Sequence, residues 1–401
     1  MNTEELRIAA STYGTPTYIF DVREVETRIR LLRSLLPEDT GLCFAVKANP
    51  FLIPYVADMV DRLEVCSPGE YEICIQEQIA PEKIVVSGVN KTYESMKRIL
   101  SYSKGAGIYT IESEEHAKIL RTLAEKNRMQ LSVLIRLSSG NQFGVDAETF
   151  IRLAEEVQES PYLTLAGVHY YAGTQKRQSK LEKEIDTLVA FAGTFEAETG
   201  TRLPELEYGA GMKVSYFVND SEKDQRESEP EPQIQALAEK LRACDAYGKK
   251  TIELGRFLVS MSGYYLTRVM DVKRTAQPGF VILDGGIHQI NYYGWMMGMK
   301  QPEIKVLAEK DGDDGELFHL CGSLCTVNDV LARDVTLHNP EKGDVICFRR
   351  CGAYAATEGM AMFLSRELPQ VLICRTDGKI EKLRDRVETY PFHGSGNWNR
   401  M

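Results

Sequence analysis

GLCFAVKANP, residues 41–50, sets the reading of the whole chain. Cys43, Phe44, Ala45 and Val46 form a short unbroken apolar run that Asn49-Pro50 ends, which is how a strand buried on both faces reads. Lys47 therefore stands at the carboxyl end of a strand, either as a catalytic amine or as a surface lysine snorkelling from apolar surroundings. The texture recurs in RLEVCS (62–67), KIVVSG (83–88), GIYTIES (107–113), LSVLIRL (131–137), LAGVHYYAG (165–173), ELEYGAG (205–211) and KTIELGR (250–256). With LCFAVK (42–47) that makes eight runs. Between them lie helical patterns such as EEHAKILRTLAEKN (114–127) and DAETFIRLAEEVQES (146–160), with apolar residues at steps of three and four. Alternation of strand and helix implies parallel strands, and eight units imply an α/β fold built on a (β/α)8 barrel, expected over residues 25–265. Beyond it, YYLTRVMDVKR (264–274), GFVILDGG (279–286), DVICFRRCG (344–352) and QVLICR (370–375) are strand-like with little helix between them. They predict a second, mainly β domain over 266–401, joined by residues 1–24. The polar run NDSEKDQRESEPEPQ (219–233) reads as a solvated loop between a barrel strand and its helix, or as a lid.

Composition limits the function. At 401 residues, with 43% hydrophobic and 26% charged residues, the chain can bury a large core without staples. A formal charge of −10 with no basic stripe argues against nucleic acid or an anionic membrane as partner. The nine cysteines are scattered and contain no CxxC pair, so neither a disulfide framework nor a zinc site is indicated, and no metal is expected. The N-terminus MNTEELRIAAS is unlike a signal peptide, and no window approaches the length of a membrane span. A cytoplasmic location is expected.

The strand ends offer Lys47, Ser67, Gly88, Ser113, Arg136, His169, the glycines of YGAG, and Glu253 with Gly255 and Arg256. A barrel gathers these at one mouth. Gly209-Ala210-Gly211 lets backbone N–H groups approach an anion and Arg256 adds charge, so a phosphate is the natural guest, although glycine serves turns without ligands too. Lysine, imidazole, carboxylate and phosphate cradle together are what pyridoxal phosphate needs. The chain resembles the barrel-fold, alanine-racemase-like pyridoxal-phosphate decarboxylases of the diaminopimelate, ornithine and arginine decarboxylase family. The resemblance covers nearly the whole chain, in the order FAVKANP, CSPGEYE, SGVNK, NQFGVD, GVHYYAGTQ, YGAG, ELGR, CGSLCTVNDV and GAYAATEG. It implies that Lys47 holds the cofactor as a Schiff base and that His169 stacks on its ring. Glu253 would pair with the pyridine nitrogen, while Gly209, Ala210, Gly211, Gly255, Arg256 and Tyr354 would hold the phosphate. Cys325, supplied by the neighbouring subunit of a head-to-tail homodimer with shared active sites, would return a proton to Cα. Read alone, His169 could be a core residue, Glu253 an ion-pair partner and Cys325 an inert thiol.

Departures from the family bear on the substrate, a small-molecule amino acid. The diamino-acid enzymes carry Glu or Asp after the cysteine to meet a distal ammonium; here that residue is Thr326, with Asp329 completing the Cys-x-x-x-Asp stretch and Gly322-Ser323 in place of Gly-Pro. A hydroxyl does not pair with an ammonium as a carboxylate does. In diaminopimelate decarboxylases an arginine grips the distal carboxylate where DGGIHQINYYG (284–294) places Tyr292. Thr326, Asp329, Tyr292 and Arg136 are therefore the substrate-side candidates. Cys-Thr resembles a biosynthetic branch that includes enzymes acting on carrier-bound amino acids, so the expected activity is decarboxylation at Cα of a modified amino acid or one presented by a carrier protein. Diaminopimelate decarboxylation is the first alternative. A racemase of the same fold resembles the chain less, since racemases set arginine rather than glutamate at the pyridine nitrogen. Non-catalytic pyridoxal-phosphate proteins lack a second domain with CGSLC and GAY.

Overall fold

The computed structural model describes residues 1–274, 277–292, 297–308, 310 and 315–394. After strand β1 (Thr17–Asp21) come eight strands whose sequences are the eight apolar runs: β2 (Thr40–Ala45), β3 (Arg62–Val65), β4 (Ile84–Val86), β5 (Ile108–Ile111), β6 (Leu131–Arg136), β7 (Leu163–Tyr171), β8 (Glu205–Gly209) and β9 (Lys249–Leu254). They pair in parallel in chain order and close by β2 meeting β9, with Cys43 opposite Glu253. Helices follow the strands, and the strand-end serines start two of them. Ser67 Oγ accepts from the Glu70 N–H at 3.1 Å, and Ser113 Oγ from the His116 N–H at 3.2 Å. Each is thus a helix N-cap, a contribution of about 1 kcal/mol.

Alternate residues of a barrel strand face its interior, and here the interior has two halves. Cys43, Val85, Ile108 and Leu134 form an apolar cluster from β2, β4, β5 and β6. On the side formed by β8, β9 and β3, which flank Cys43 of β2, Arg62 of β3 binds Glu205 at 2.6 Å and Glu207 at 2.7 Å, both from β8, and the Thr251 hydroxyl of β9 also donates to Glu205. A guanidinium placed among carboxylates avoids the penalty of an unpaired buried charge.

The chain divides into two compact units: residues 27–214 with 225–258, which hold the barrel, and residues 1–26, 215–224 and 259–401. The second unit is built on a nine-stranded sheet. To β1 it adds β10 (Gly263–Lys273), β11 (Gly279–Leu283), β12 (Ile304–Val306), β13 (Glu316–Cys321), β14 (Val330–Leu337), β15 (Val345–Arg349), β16 (Gln370–Cys374) and β17 (Ile380–Arg384). Strand β10 is the hub, antiparallel to β1, β11 and β15. The helix Thr3–Tyr13 buries Leu6, Ala9 and Ala10 against Ile19, Leu266, Cys347 and Leu372 of this sheet.

The polar run 219–233 is not loop throughout. Helices span Glu222–Glu227 and Pro230–Arg242. Pro230 sits at the first position of the second helix, where its missing N–H costs nothing, so this proline starts a helix rather than preventing one. No helix among the described residues is long and apolar enough to cross a membrane.

Candidate active site

Lys47 lies on a single 3₁₀ turn, Val46–Ala48, just past β2, and Asn49 secures the next turn by accepting from the Phe51 N–H at 3.1 Å. The ammonium emerges among carboxylates. It pairs with Glu64 of β3 and lies 3.5 Å from Glu253 Oε1 of β9 and 3.5 Å from Cys66 Sγ. Glu253 Oε2 is 2.9 Å from His169 Nε2. Burial pushes the Glu253 carboxyl up, but the Lys47 ammonium, the His169 hydrogen bond and Arg136 outweigh it and bring it down to about 2. An ionised carboxylate only accepts, so Nε2 carries the proton of this bond. Burial drives Glu207 the other way, up to about 7, with Arg62 opposing. The donor atoms of His169, Glu207 and Glu253 lie within 4.8 Å of one another, a spacing a divalent cation could use. Nε2 is already committed to Glu253, however, and Arg62 lies against Glu207, so a cation would meet a standing positive charge.

His169 is only 1% exposed, below the mouth. Two residues further along β7, on the same side of the strand, Tyr171 is half-buried at the strand's end, opposite Gly209. A Cβ on Gly209 would come within 2.6 Å of the Tyr171 ring, so the two are in close contact. Beyond Gly209, Gly211 has φ +59°, and a Cβ there would fall 2.1 Å from the Gly173 carbonyl oxygen. Beneath this loop Lys176 is buried: its Nζ donates to the Gly209 carbonyl at 3.1 Å and to Glu184 at 2.6 Å, while Tyr208 donates to the same Glu184 oxygen at 2.8 Å. Ala210 is fully buried, and Gly255 and Arg256 are half-buried at the end of β9, where Arg256 opens a short helix.

Arg136 at the end of β6 donates to Glu112 at 2.8 Å and lies 4.8 Å over the Phe143 ring. Lys91 Nζ is 3.6 Å from the other Glu112 oxygen and donates to the Gly88 carbonyl at 2.7 Å. Burial pulls Lys91 down to about 8 against the pull of Glu112. Arg136 is thus engaged in the barrel wall.

The remaining candidates belong to the β-rich unit. Cys325 is exposed on the turn before β14, beside Val327, which is 92% exposed. Thr326 Oγ1 accepts from the Asn328 N–H at 3.3 Å. Asp329 is buried and accepts from the Ile287 and Leu324 N–H groups at 2.8 and 2.7 Å, so it shapes the turn. Tyr292 is 1% exposed, gives its hydroxyl proton to the Arg349 carbonyl and packs against Tyr216 and Phe217. As placed, neither Asp329 nor Tyr292 presents a group to a ligand, because the polar atoms of both are spent on backbone. Tyr354 holds φ +64° in a turn closed by the Thr357 and Glu358 N–H groups on its carbonyl. Residues 293 and 294 of DGGIHQINYYG lie outside the described residues.

Sequence reasoning missed Glu64, Cys66, Glu112, Tyr171, Lys176 and Glu207. The signal for two of them was present. Glu64 in RLEVCS and Glu207 in ELEYGAG interrupt runs otherwise buried on both faces, and a charge there needs partners inside the barrel. Lys176 lies outside any apolar run and carried no such mark.

Residues 22–260 match the model of the family described as pyridoxal-dependent decarboxylase, pyridoxal binding domain. The diaminopimelate decarboxylase of Pseudomonas aeruginosa is 28% identical over 86% of this chain and 84% of its own length. The L-glutamyl-[BtrI acyl-carrier protein] decarboxylase of Niallia circulans is 26% identical over 96% and 94%. The crystal structure of Helicobacter pylori diaminopimelate decarboxylase complexed with L-lysine superposes with a TM-score of 0.82 at 22% identity, covering 97% of this chain and 98% of that one. A family match over more than half the chain, on a barrel whose mouth holds a lysine among carboxylates, places the chain in the pyridoxal-dependent decarboxylase family, with pyridoxal phosphate as its cofactor.

Proposed function

We propose that the enzyme decarboxylates, at Cα, an amino acid whose far end carries no free ammonium, either chemically modified or tethered to a carrier protein. The carrying observation is Thr326 in CTVND, where diamino-acid decarboxylases set a carboxylate. Its hydroxyl is half-buried and held by the Asn328 N–H. The likeness to a relative named for a carrier-bound glutamyl group supports this, and the likeness to diaminopimelate decarboxylases supports the second reading, free diaminopimelate as substrate.

The residues present fit the cofactor. The Gly209–Gly211 loop has the open backbone a phosphate needs, since a side chain at Gly211 would strike the Gly173 carbonyl. Arg256, at the end of β9 in the same unit, adds donors, and the resemblance assigns Tyr354 to the same phosphate. Lys47 Nζ is the amine for the Schiff base, and Glu253, held down to about 2, stays ionised at any physiological pH and can keep a ring nitrogen protonated. His169 orients Glu253 from below, and Tyr171 offers its ring at the mouth for stacking, the role the resemblance gives to His169. When bound, pyridoxal phosphate supplies the sink for the electron pair left at Cα as carbon dioxide departs. Cys325 Sγ then delivers a proton to Cα, from the neighbouring subunit of a head-to-tail dimer, which suits an exposed cysteine beside an exposed valine. All nine cysteines are unpaired, as suits a cytoplasmic enzyme.

The test is kcat/KM for meso-diaminopimelate, lysine and ornithine against neutral-tailed and carrier-bound amino acids. Losing a charge-assisted contact is worth about 1.5–3 kcal/mol, so the diamino substrates should be poorer by at least one to two orders of magnitude. Thr326→Glu should narrow that gap. Turnover of meso-diaminopimelate at about 10⁴ M⁻¹s⁻¹ or better would establish the second reading instead.

A further inference from the structure

The geometry points to a binding site for a small carboxylate- or phosphate-bearing molecule wholly within the β-rich unit, remote in chemistry from the lysine site of the barrel. A cavity of about 590 Å³, within the range of ligand pockets, is lined by Arg268, Arg366, Arg386, His288, Thr15 and Asp284 among others. The three arginines come from separate stretches of chain, and among the described residues none has a carboxylate within 4.0 Å. Arg268 Nε donates to Thr15 Oγ1 at 3.4 Å, Arg366 Nη2 to the Ser323 carbonyl at 2.8 Å, and Arg386 to the Thr15 carbonyl. Most of their five N–H groups apiece remain for an oxyanion, which guanidinium binds in bidentate fashion.

A second observation is independent of the arginines. His288 is 2% exposed, and neither ring nitrogen has a hydrogen-bond partner. Buried imidazoles are ordinarily satisfied, so one lining a polar cavity with both nitrogens idle marks a missing ligand. Burial, with Arg366 nearby, pulls this ring down to about 4, leaving it neutral with one donor and one acceptor. The acids of the lining do not cancel the site. Asp284 is engaged by Thr15, Thr267 and the Arg268 backbone N–H at 2.6, 2.6 and 2.8 Å, and Glu367 and Glu388 are exposed and unpaired with the arginines. Because Arg366 also holds the Ser323 carbonyl, two residues before Cys325, an oxyanion there competes for the group that steadies the cysteine's turn.

The probes are citrate and, separately, inorganic phosphate, titrated calorimetrically into cofactor-loaded enzyme, so that the cofactor's own phosphate site is filled. At least one should bind once per chain with Kd of about 1 mM or tighter. The double variant R366Q/R386Q, changed at two exposed side chains, should weaken it at least about tenfold while the cofactor's absorbance stays unchanged. Should the double variant lose the cofactor, R366Q alone should weaken binding at least about threefold. Citrate alone binding identifies a carboxylate ligand, phosphate alone a phosphate ester, and both a general oxyanion site. No binding of either below about 10 mM, or equal binding to wild type and variants, overturns the site. The outcome does not depend on which amino acid the enzyme decarboxylates.

Discussion

Two buried glutamates on adjacent strands are driven to opposite protonation states by their neighbours: Lys47 and His169 hold Glu253 ionised, while burial keeps Glu207 protonated up to about pH 7. Splitting a carboxylate pair in this way gives one member a fixed charge. Because the folded pKa of Glu253 lies below its ordinary 4.5, the unfolded chain binds the extra proton between pH 4.5 and about 2. Its stabilising contribution, roughly 3 kcal/mol, is present above pH 4.5 and is lost as pH falls through that window. Cofactor-free Glu253→Gln should therefore melt below wild type at pH 7, with the gap closing as pH falls from 4.5 to about 2. A gap that widens on acidification would contradict the assignment. With cofactor, the same variant should lose about 100-fold or more in kcat, since a glutamine cannot hold a ring nitrogen cationic. At the lysine, borohydride should trap cofactor in wild type but not in Lys47→Ala; trapping on another lysine would displace Lys47 from its role. Lys47, His169 and Glu253 were readable because each ends or interrupts an apolar run. Tyr171 was not: an aromatic in a strand reads as core, and only the closed barrel shows that position 171 reaches the mouth while 169 does not.

At the level of elements, the loop after β8 depends on two glycines with different reasons. At Gly211 the φ of +59° costs an L-residue about 1–2 kcal/mol, and the added Cβ would strike backbone. At Gly209 no left-handed φ is required, and the added Cβ would meet Tyr171, 2.6 Å from its ring and 2.9 Å from its own Cβ. Gly211→Ala should thus lower Tm by several degrees and weaken cofactor binding at least about tenfold, with Gly209→Ala the milder of the two, read by thermal melting and cofactor titration. Equal effects would mean that the loop adapts. The barrel strands were legible because a parallel sheet buries both faces and writes itself as an apolar run. In the other unit β1, β12, β13, β14 and β17 escaped notice. β12 and β17 are short or amphipathic, with burial broken by exposed Lys305, Lys382 and Leu383, and strands whose partners are distant in sequence carry no local turn signal.

For the molecule as a whole, the turn carrying Cys325 and Val327 is exposed. If the cysteine serves its neighbour, Lys47→Ala and Cys325→Ala, each nearly inactive, should recover about a quarter of wild-type activity when mixed and reassembled, because mixed dimers then contain one intact site. No recovery after subunit exchange would put both groups in one chain. The division of the barrel interior carries a consequence for how the enzyme tolerates change. Substitutions at Val85, Ile108 or Leu134, on β4 to β6, alter packing alone and should surface as shifts in expression and heat tolerance, with the pH profile untouched. Those at Arg62, Glu205 or Glu207 disturb a charge network two residues from the catalytic rim and should surface in the pH profile first. A mutational scan around the barrel's circumference would then fall into two arcs of different phenotype, and a laboratory lineage could gain robustness along one arc without retuning the chemistry held by the other.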